Sequence, residues 1–502
     1  CSTPELVFSI KELKSDLGIM ITASHNDKRF NGIKVYTKSG SQPTNSEKNK
    51  IIKSIGKNSF KNFELISNFL IKQQNKINNH LQKSNTKISL DIITAKYVNH
   101  LTKSINLNSK SKNNLKNLKI AFSSINGTGY NPAVKLFQKL GIKPIVIHSM
   151  VKQDPFFSLF SNNQILEPSN NTIHKKIISE FVKEYGKKKL NSLDAILFTD
   201  PDSDRIGLIC NVPKSQQKYY GKYRFVTGNE IWGLILQFYL QTFLKDKIKK
   251  EKFFIVKSFV TSDLLNAISK KFKIKCYEGN VGFSSLNELV KSKWKNNFIN
   301  LGMFEESNGY AIAGNPKYSQ VNSHFLEKDG IFGMLKIIEF LSYIKSKNVS
   351  LFQILTDINL DPEIGYYYNF RTQLPESSSF DDALNNLTKF QILNNLNNFS
   401  IMVEKLSKSK RPVKILNYKI VKIKKYTSSS KNKFPYEGIR FYLDSSENHI
   451  TIRSSATESK IRLFFQLKHS CMTEQELRLK KISSEKIKNQ LITEIKRILI
   501  NS

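Results

Sequence analysis

Cysteine is scarce and scattered. Cys1, Cys210, Cys276 and Cys471 form no paired motif. That argues against a disulfide framework or a cysteine zinc site and fits a reducing compartment. No apolar run is long enough to cross a bilayer. The opening Cys1-Ser2-Thr3-Pro4 lacks the basic start and apolar stretch of a secretory leader. A cytoplasmic protein without a membrane role is expected. There is no repeat at solenoid periods. Acidic side chains are also in short supply, 41 against 79 Lys and Arg, for a formal charge of +38. Alone, that balance points to nucleic acid or an anionic surface. The lysines are scattered, however, for example across 110–119, 245–252 and 405–414. They form no stripe interleaved with aromatics, so a general Lys, Asn and Ile bias is the simpler reading and a nucleic-acid partner is disfavoured. A positive field still helps capture small doubly charged anions, weakly and in a salt-dependent way.

The chain has 502 residues, 39% of them hydrophobic. That is too long for one ordinary core and apolar enough for several. Four units are expected, over 1–88, 89–210, 211–358 and 359–502. In the first, a short apolar run, Leu17 to Ile21, reads as a buried parallel-type strand, and Gly32 to Tyr36 follows. One such strand is poor for a stable sheet, so this unit is expected to be truncated at its N-terminus. Residues 102–118 are rich in Lys, Asn and Ser and read as an inserted loop. A βαβ pattern follows: strand Lys119 to Phe122, turn Asn126-Gly127-Thr128-Gly129, helix Pro132 to Leu140, strand Lys143 to His148. Helix Ile173 to Tyr185 and strand Leu193 to Phe198 continue it. The third unit alternates again, through strands at 253–256, 274–277 and 300–304, and closes on a helix from Asp329 to Phe340. Such alternation predicts parallel sheets. The last unit has a helix at Phe380 to Leu393 and short-linked strands at 413–418, 439–443, 450–453 and 461–467. A final helix, 484–499, completes an antiparallel α+β domain.

Two strands empty into chemically suggestive loops. The first delivers Thr22-Ala23-Ser24-His25-Asn26 and the second Thr199-Asp200-Pro201-Asp202-Ser203-Asp204-Arg205. The carboxyl end of a strand is where α/β proteins place reactive groups. Ser24 offers a nucleophile, but serine needs a base or charge neutralisation to act, and Ser-His alone is common by chance. Asp200, Asp202 and Asp204 carry more information. Alternate carboxylates on a turning loop converge on one hard cation and repel each other without a positive partner. A calcium loop needs a glycine and a distal glutamate, and here the chain runs from Ile206 into strand instead. Glu305-Glu306-Ser307 after a strand suits sugar hydroxyls. Arg453 to Lys460, two cations flanking a hydroxyl-rich loop, suits a phosphate. Either of the last two is also compatible with an ordinary polar loop.

The order of these loops resembles the α-D-phosphohexomutase family, the phosphoglucomutases and phosphomannomutases, over nearly the whole chain. The likeness is most specific at Thr22 to Asn26 with Asn31-Gly32-Ile33-Lys34, and at Asp200 to Arg205. Asn126-Gly127-Thr128-Gly129 and Lys328-Asp329-Gly330 add support. Asp-Pro-Asp-Ser-Asp-Arg and Phe304-Glu305-Glu306-Ser307 look most like the phosphoglucomutase-2 and phosphopentomutase branch. The resemblance implies three doubly wound α/β domains and a C-terminal antiparallel α+β domain around a central cleft. It implies a phosphosugar mutase, an isomerase of carbohydrate metabolism working as a monomer or homodimer. Ser24 matches the family's phosphoserine. Asp200, Asp202 and Asp204, with a phosphoserine oxygen, would hold one Mg²⁺. Arg205 would neutralise the phosphate. Lys34, with His25 nearby, is the candidate for proton transfer. Glu305 and Ser307 would grip the sugar, and Arg453, Ser455, Thr457 and Lys460 the non-reacting phosphate. A glucose 1,6-bisphosphate-type activator is implied as well.

The sequence also departs from the family pattern. The opening glycine-rich segment is absent. Ser454, Ala456 and Ser459 replace Pro, Gly and Pro of the phosphate loop, and Ser284 stands where a lysine often follows Gly-Phe. If residue 456 needs a positive φ, alanine costs about 1 kcal/mol or more. These departures keep an alternative open: an impaired or truncated relative acting as a sugar-phosphate-binding or partner-binding pseudoenzyme.

Overall fold

The computed structural model describes residues 1–57, 89–161, 164–242, 244, 252–317, 324–374, 389–408, 413–427, 437–454 and 461–501. The chain opens on a helix, Thr3–Glu12, started by a capping box. Ser2 Oγ accepts the Glu5 N–H, while the Glu5 carboxylate accepts from the Ser2 N–H and hydroxyl. The helix covers one side of a hairpin of β1 (Leu17–Ile21) and β2 (Ile33–Thr37), antiparallel with Ile21 opposite Ile33. The buried parallel strand expected here is therefore a half-exposed hairpin. Gly18 and Tyr36 are buried, whereas Leu17, Ile19, Ile21 and Ile33 are exposed. The reason is coverage: among the described residues this sheet has two strands and one helix against it.

The second unit holds the sheet β4-β3-β5-β6-β7. Its strands are β3 (Ile120–Ser123), β4 (Ile145–Val146), β5 (Ala195–Thr199), β6 (Ile206–Asn211) and β7 (Tyr223–Val226). β3 runs parallel to β4 and β5, but β5–β6 and β6–β7 are antiparallel. The expectation of wholly parallel sheets fails here because loop 200–205 is too short for a crossover and can only close a hairpin. The third unit orders β11-β10-β8-β9, from β8 (Phe253–Ser258), β9 (Lys275–Gly279), β10 (Ile299–Phe304) and β11 (Tyr310–Ala311). β8 is parallel to both neighbours, and β11 is an antiparallel edge.

Between these units lies the helix Gly330–Ser346, mostly apolar and buried along almost its whole length, with its Lys336 and Glu339 paired with each other. One core runs from Val7 and Phe8 through Phe122, Trp232 and Ile255 to Ile338 and Phe352, binding the first three units together. The expected loop at 102–118 is instead partly helical, over Ser109–Asn114 and Leu115–Asn117. The turns form because they dock: Ser342 Oγ donates to the Ser111 carbonyl at 2.5 Å, and Leu115 is buried.

The C-terminal unit is one antiparallel sheet, β12-β17-β16-β15-β14-β13. It comprises β12 (Tyr366–Leu374), β13 (Lys414–Ile415), β14 (Tyr418–Tyr426), β15 (Gly438–Leu443), β16 (His449–Ser454) and β17 (Ile461–His469). Its separate core includes Ile392, Leu396, Phe441, Leu463 and Ile495. The strand expected over 413–418 is split by a turn at Leu416 (φ 53°). Most of the helix expected at Phe380 to Leu393 lies outside the described residues; the described helix is Lys389–Lys408. No helix among the described residues is long and apolar enough to cross a membrane.

Burial lowers the imidazoles of His100, His174, His449 and His469 to about 4. The unfolded chain binds these protons near pH 6.5 and the folded chain does not. Stability is therefore expected to fall as pH drops from about 6.5 toward 4. Melting midpoints across that range check it, and a midpoint unchanged between pH 7 and 5 contradicts the assignment.

Candidate active site

The serine loop leaves β1 and is tied across the hairpin by the Thr22 N–H, which donates to the Gly32 carbonyl at 2.9 Å. Ser24 takes a left-handed backbone (φ 57°), uncommon for a residue with a Cβ and frequent at functional sites. Its N–H donates to Thr22 Oγ1 at 2.7 Å. The Ser24 hydroxyl donates to Asp202 Oδ1 at 3.1 Å, and His25 Nδ1 lies 3.2 Å from Ser24 Oγ.

The aspartate loop closes the β5–β6 hairpin. Asp200, Asp202 and Asp204 are all buried, and each offers a carboxylate oxygen within 4.8 Å of the others. Two motifs noted in the sequence hold this loop by close backbone approach. Thr128 donates its N–H and its hydroxyl to the Pro201 carbonyl at 2.8 and 3.0 Å, and a Cβ on Gly127 would meet that oxygen at 2.2 Å. Gly330 donates its N–H to the Ser203 carbonyl at 3.0 Å, with room for no side chain. Asp329 caps the helix that follows, accepting the Ile331 and Phe332 N–H groups, and takes further hydrogen bonds from Tyr97 and His324.

Three cations surround the trio. Lys34 Nζ lies 2.6 Å from Asp202 and 3.0 Å from Asp204. Lys328 Nζ lies 3.1 Å from Asp204. Arg205 Nε lies 3.7 Å from Asp200 and 3.8 Å from Asp204. Burial resists charging Asp204, but Lys328, Lys34 and Arg205 prevail and hold its carboxyl far below the usual range. Asp200 goes the other way: burial, then Asp204 and Asp202, push it well up. Burial opposes the Lys34 ammonium, yet Asp202 and Asp204 outweigh it and keep it protonated far above its ordinary range. Burial and then Arg205 depress the His25 imidazole, leaving it neutral near pH 7. Asp200 Oδ2 is buried without a hydrogen-bond partner, and Asp204 Oδ1 is met only by the ion-pair contacts of Lys328 and Arg205. Converging buried carboxylates, one with an orphaned oxygen and reluctant to ionise, fit a hard divalent cation.

Glu305 follows β10, is buried, and accepts the Gly282 N–H at 2.8 Å; Ser307 is buried beside it. The charge of Glu305 reaches Arg205, and those of Glu306 and Glu305 reach Arg453 at the end of β16. Arg453 is buried with Nε unpartnered. The structure thus gathers Ser24, His25, Lys34, the three aspartates and Arg205 by direct contact, with Glu305 and Arg453 within electrostatic reach. Ser455, Thr457 and Lys460, with Ala456 and Ser459, lie outside the described residues. The sequence reading missed Thr3, whose hydroxyl donates to Asp202 at 3.2 Å. It also gave no role to Lys328, Glu167 or Arg371. Lys328 stood in a motif already noted; the others carry no local signal.

Three family models match in order: phosphoglucomutase/phosphomannomutase α/β/α domain I over residues 1–62, domain II over 95–212 and domain III over 227–359. The chain belongs to the α-D-phosphohexomutase family. This phosphohexomutase is 26% identical over 483 residues to a phosphoglucomutase of Staphylococcus saprophyticus, covering 93% of this chain and 76% of that one. It is also 26% identical over 482 residues to a phosphomannomutase of Mycoplasma genitalium, covering 96% and 75%. Among solved structures it shares its fold with the open form of parafusin, a phosphoglucomutase from Paramecium. That match has a TM-score of 0.64 at 19% identity, covering 98% of this chain and 81% of that one. An N-acetylphosphoglucosamine mutase of Aspergillus fumigatus, solved with glucose 1,6-bisphosphate, matches at a TM-score of 0.51 and 13% identity. It covers 99% of this chain and 90% of that one. As a family member the chain is a phosphosugar mutase, an isomerase.

Proposed function

We propose that this mutase moves phosphate between the 1- and 6-positions of a hexose, or the 1- and 5-positions of a pentose, through phosphorylated Ser24 and a sugar bisphosphate. The observation that carries the reading is the placement of the Ser24 hydroxyl. It touches Asp202 and His25, with three buried carboxylates and three cations around it. Phosphoryl transfer asks mainly for alignment and charge neutralisation, which this set supplies.

Asp200, Asp202 and Asp204 would hold Mg²⁺ together with an oxygen of phosphorylated Ser24. Bound there, the ion supplies charge neutralisation for the transferring group. Arg205 and Lys328 add fixed positive charge around the same loop. When Ser24 takes the phosphoryl group back, its Oγ–P bond forms and the sugar O–P bond breaks. The Ser24 proton is within reach of neutral His25, 3.2 Å away. The departing sugar oxygen needs a proton, and the Lys34 ammonium is the donor in this set. The forward step reverses these moves. Glu305 and Ser307 read the sugar hydroxyls, while Arg453, Ser455, Thr457 and Lys460 clamp the phosphate that is not reacting. One clamp receives either end of the sugar as the bisphosphate turns over.

The test is turnover of glucose 1-phosphate by the purified chain with Mg²⁺ and a priming amount of glucose 1,6-bisphosphate. The product is read by a coupled assay and Ser24 phosphate by peptide mass. A kcat in the ordinary enzyme range, roughly 1–10³ s⁻¹, is expected on one of the glucose, mannose, glucosamine or ribose phosphates. No turnover on any of the four overturns the reading.

A further inference from the structure

One acidic residue outside the motifs joins the aspartate loop to the C-terminal sheet. Glu167 lies between β4 and the helix Asn171–Asn191, and it is buried, 3% exposed. Its Oε1 accepts from Arg205 Nη1 at 2.6 Å, which ties it to the aspartate loop. The same oxygen accepts from Arg371 Nη1 at 3.2 Å, and its Oε2 accepts from Arg371 Nη2 at 2.5 Å. Arg371 sits on β12, in the C-terminal sheet. It also donates to Ser169 Oγ at 3.0 Å and lies 3.8 Å from Glu306 of the sugar loop. One residue upstream, the Leu166 N–H donates to the His25 carbonyl at 2.8 Å, which reaches the serine loop. The segment 166–169 therefore contacts the serine and aspartate loops directly, and through Arg371 it reaches the sugar loop and the domain that carries the fourth.

The surroundings show why this contact matters. Beside it lies a gap of about 210 Å³ lined by Ser169, Asn229, Glu306, Asn369 and Arg371 among others. Apolar side chains from the body and the C-terminal sheet, Val260 and Phe464 among them, line this gap without filling it. The forked Arg371–Glu167 pair spans it, and a bidentate guanidinium–carboxylate contact fixes orientation as well as distance. Burial alone would push the Glu167 carboxyl up, but Arg371, Arg205 and His25 hold it well below its usual range, so it stays charged.

We propose that Glu167 is a positioning residue, a latch that registers Arg371 of the C-terminal domain against Arg205 of the aspartate loop and so sets closure of the cleft over the sugar phosphate. The consequence for turnover rests on the mutase reading; the consequence for domain docking does not. Glu167 reaches no reacting atom and acts through the two arginines.

The test compares Glu167→Gln, Arg371→Gln and the double variant with the parent, each as the full chain. Small-angle scattering without ligand is expected to give a larger radius of gyration for all three. Calorimetric titration with glucose 1,6-bisphosphate is expected to show affinity reduced about tenfold to a hundredfold in each single variant. The double variant should be no weaker than the weaker single one, because both remove one latch. In the assay, KM should rise by more than kcat falls, which a general loss of stability would not produce. Arg371→Gln leaves the Glu167–Arg205 pair intact, so it decides the matter if Glu167→Gln does not fold. An unchanged radius of gyration in Arg371→Gln overturns the latch, as do additive losses in the double variant. A parent that neither binds the bisphosphate nor turns over sinks the mutase reading instead, while scattering still decides the latch.

Discussion

Replacing Ser24 by Ala is expected to abolish mutase turnover, by about 10⁴-fold or more, together with phosphate incorporation at this position. The hydroxyl is the acceptor of the phosphoryl group, and no other described hydroxyl shares its contacts with both Asp202 and His25. Folding should survive, since Ser24 is only half-buried and Asp202 keeps its Lys34 and Thr3 partners when the hydroxyl is removed. Ser24→Gly sharpens the experiment. At φ 57° glycine is the relaxed residue, so this variant should be as inactive as the alanine one yet up to about 1 kcal/mol more stable. Turnover in either variant at the parent rate would remove Ser24 from the chemistry.

Asp200→Asn is expected to separate function from stability in the same way. Asp200 is fully buried, and that burial first, then the charges of Asp204 and Asp202, drive its carboxyl well above the ordinary range. A carboxyl whose folded pKa is raised is destabilising when ionised, and increasingly so as pH rises above its unfolded value near 3.9. At pH 7 without a divalent cation, the amide variant should melt about 2–4 °C higher than the parent. Activity should fall roughly 10²–10³-fold as one ligand is lost. Added Mg²⁺ should raise the melting midpoint of the parent and leave the variant nearly unmoved. An equal Mg²⁺ shift in both proteins would exclude Asp200 as a ligand. Asp202→Asn should behave differently: Asp202 is the partner of Lys34, Ser24 and Thr3, so its loss costs stability as well as activity.

Much of this site was legible because its chemistry is local. Strand-then-loop patterns placed Ser24 and the aspartates at strand ends, and alternate carboxylates signal a cation wherever they occur. Strand direction was less legible. The antiparallel turn between β5 and β6 follows from the brevity of loop 200–205, yet the helix–strand alternation on either side suggests a parallel sheet. The first helix had a readable start, Ser2 and Glu5 at capping-box spacing. β12 had one too, in its run of tyrosines at 366–368; both signals were passed over. Glu167 was not readable at all. It is a lone acid before a proline, and its meaning comes from arginines 38 and 204 positions along the chain. Long-range ion pairs leave no periodicity in a sequence, so residues that join domains are the last to be seen.

The outward side of the β1–β2 hairpin has a consequence for handling the protein. Ile19, Ile21 and Ile33 form a greasy ribbon at 55%, 69% and 70% exposure, next to strand edges that can template intermolecular pairing. The large surplus of lysine opposes such pairing by mutual repulsion. Added electrolyte weakens that repulsion and leaves the ribbon's attraction in place. Concentrated stocks should therefore cloud as ionic strength rises.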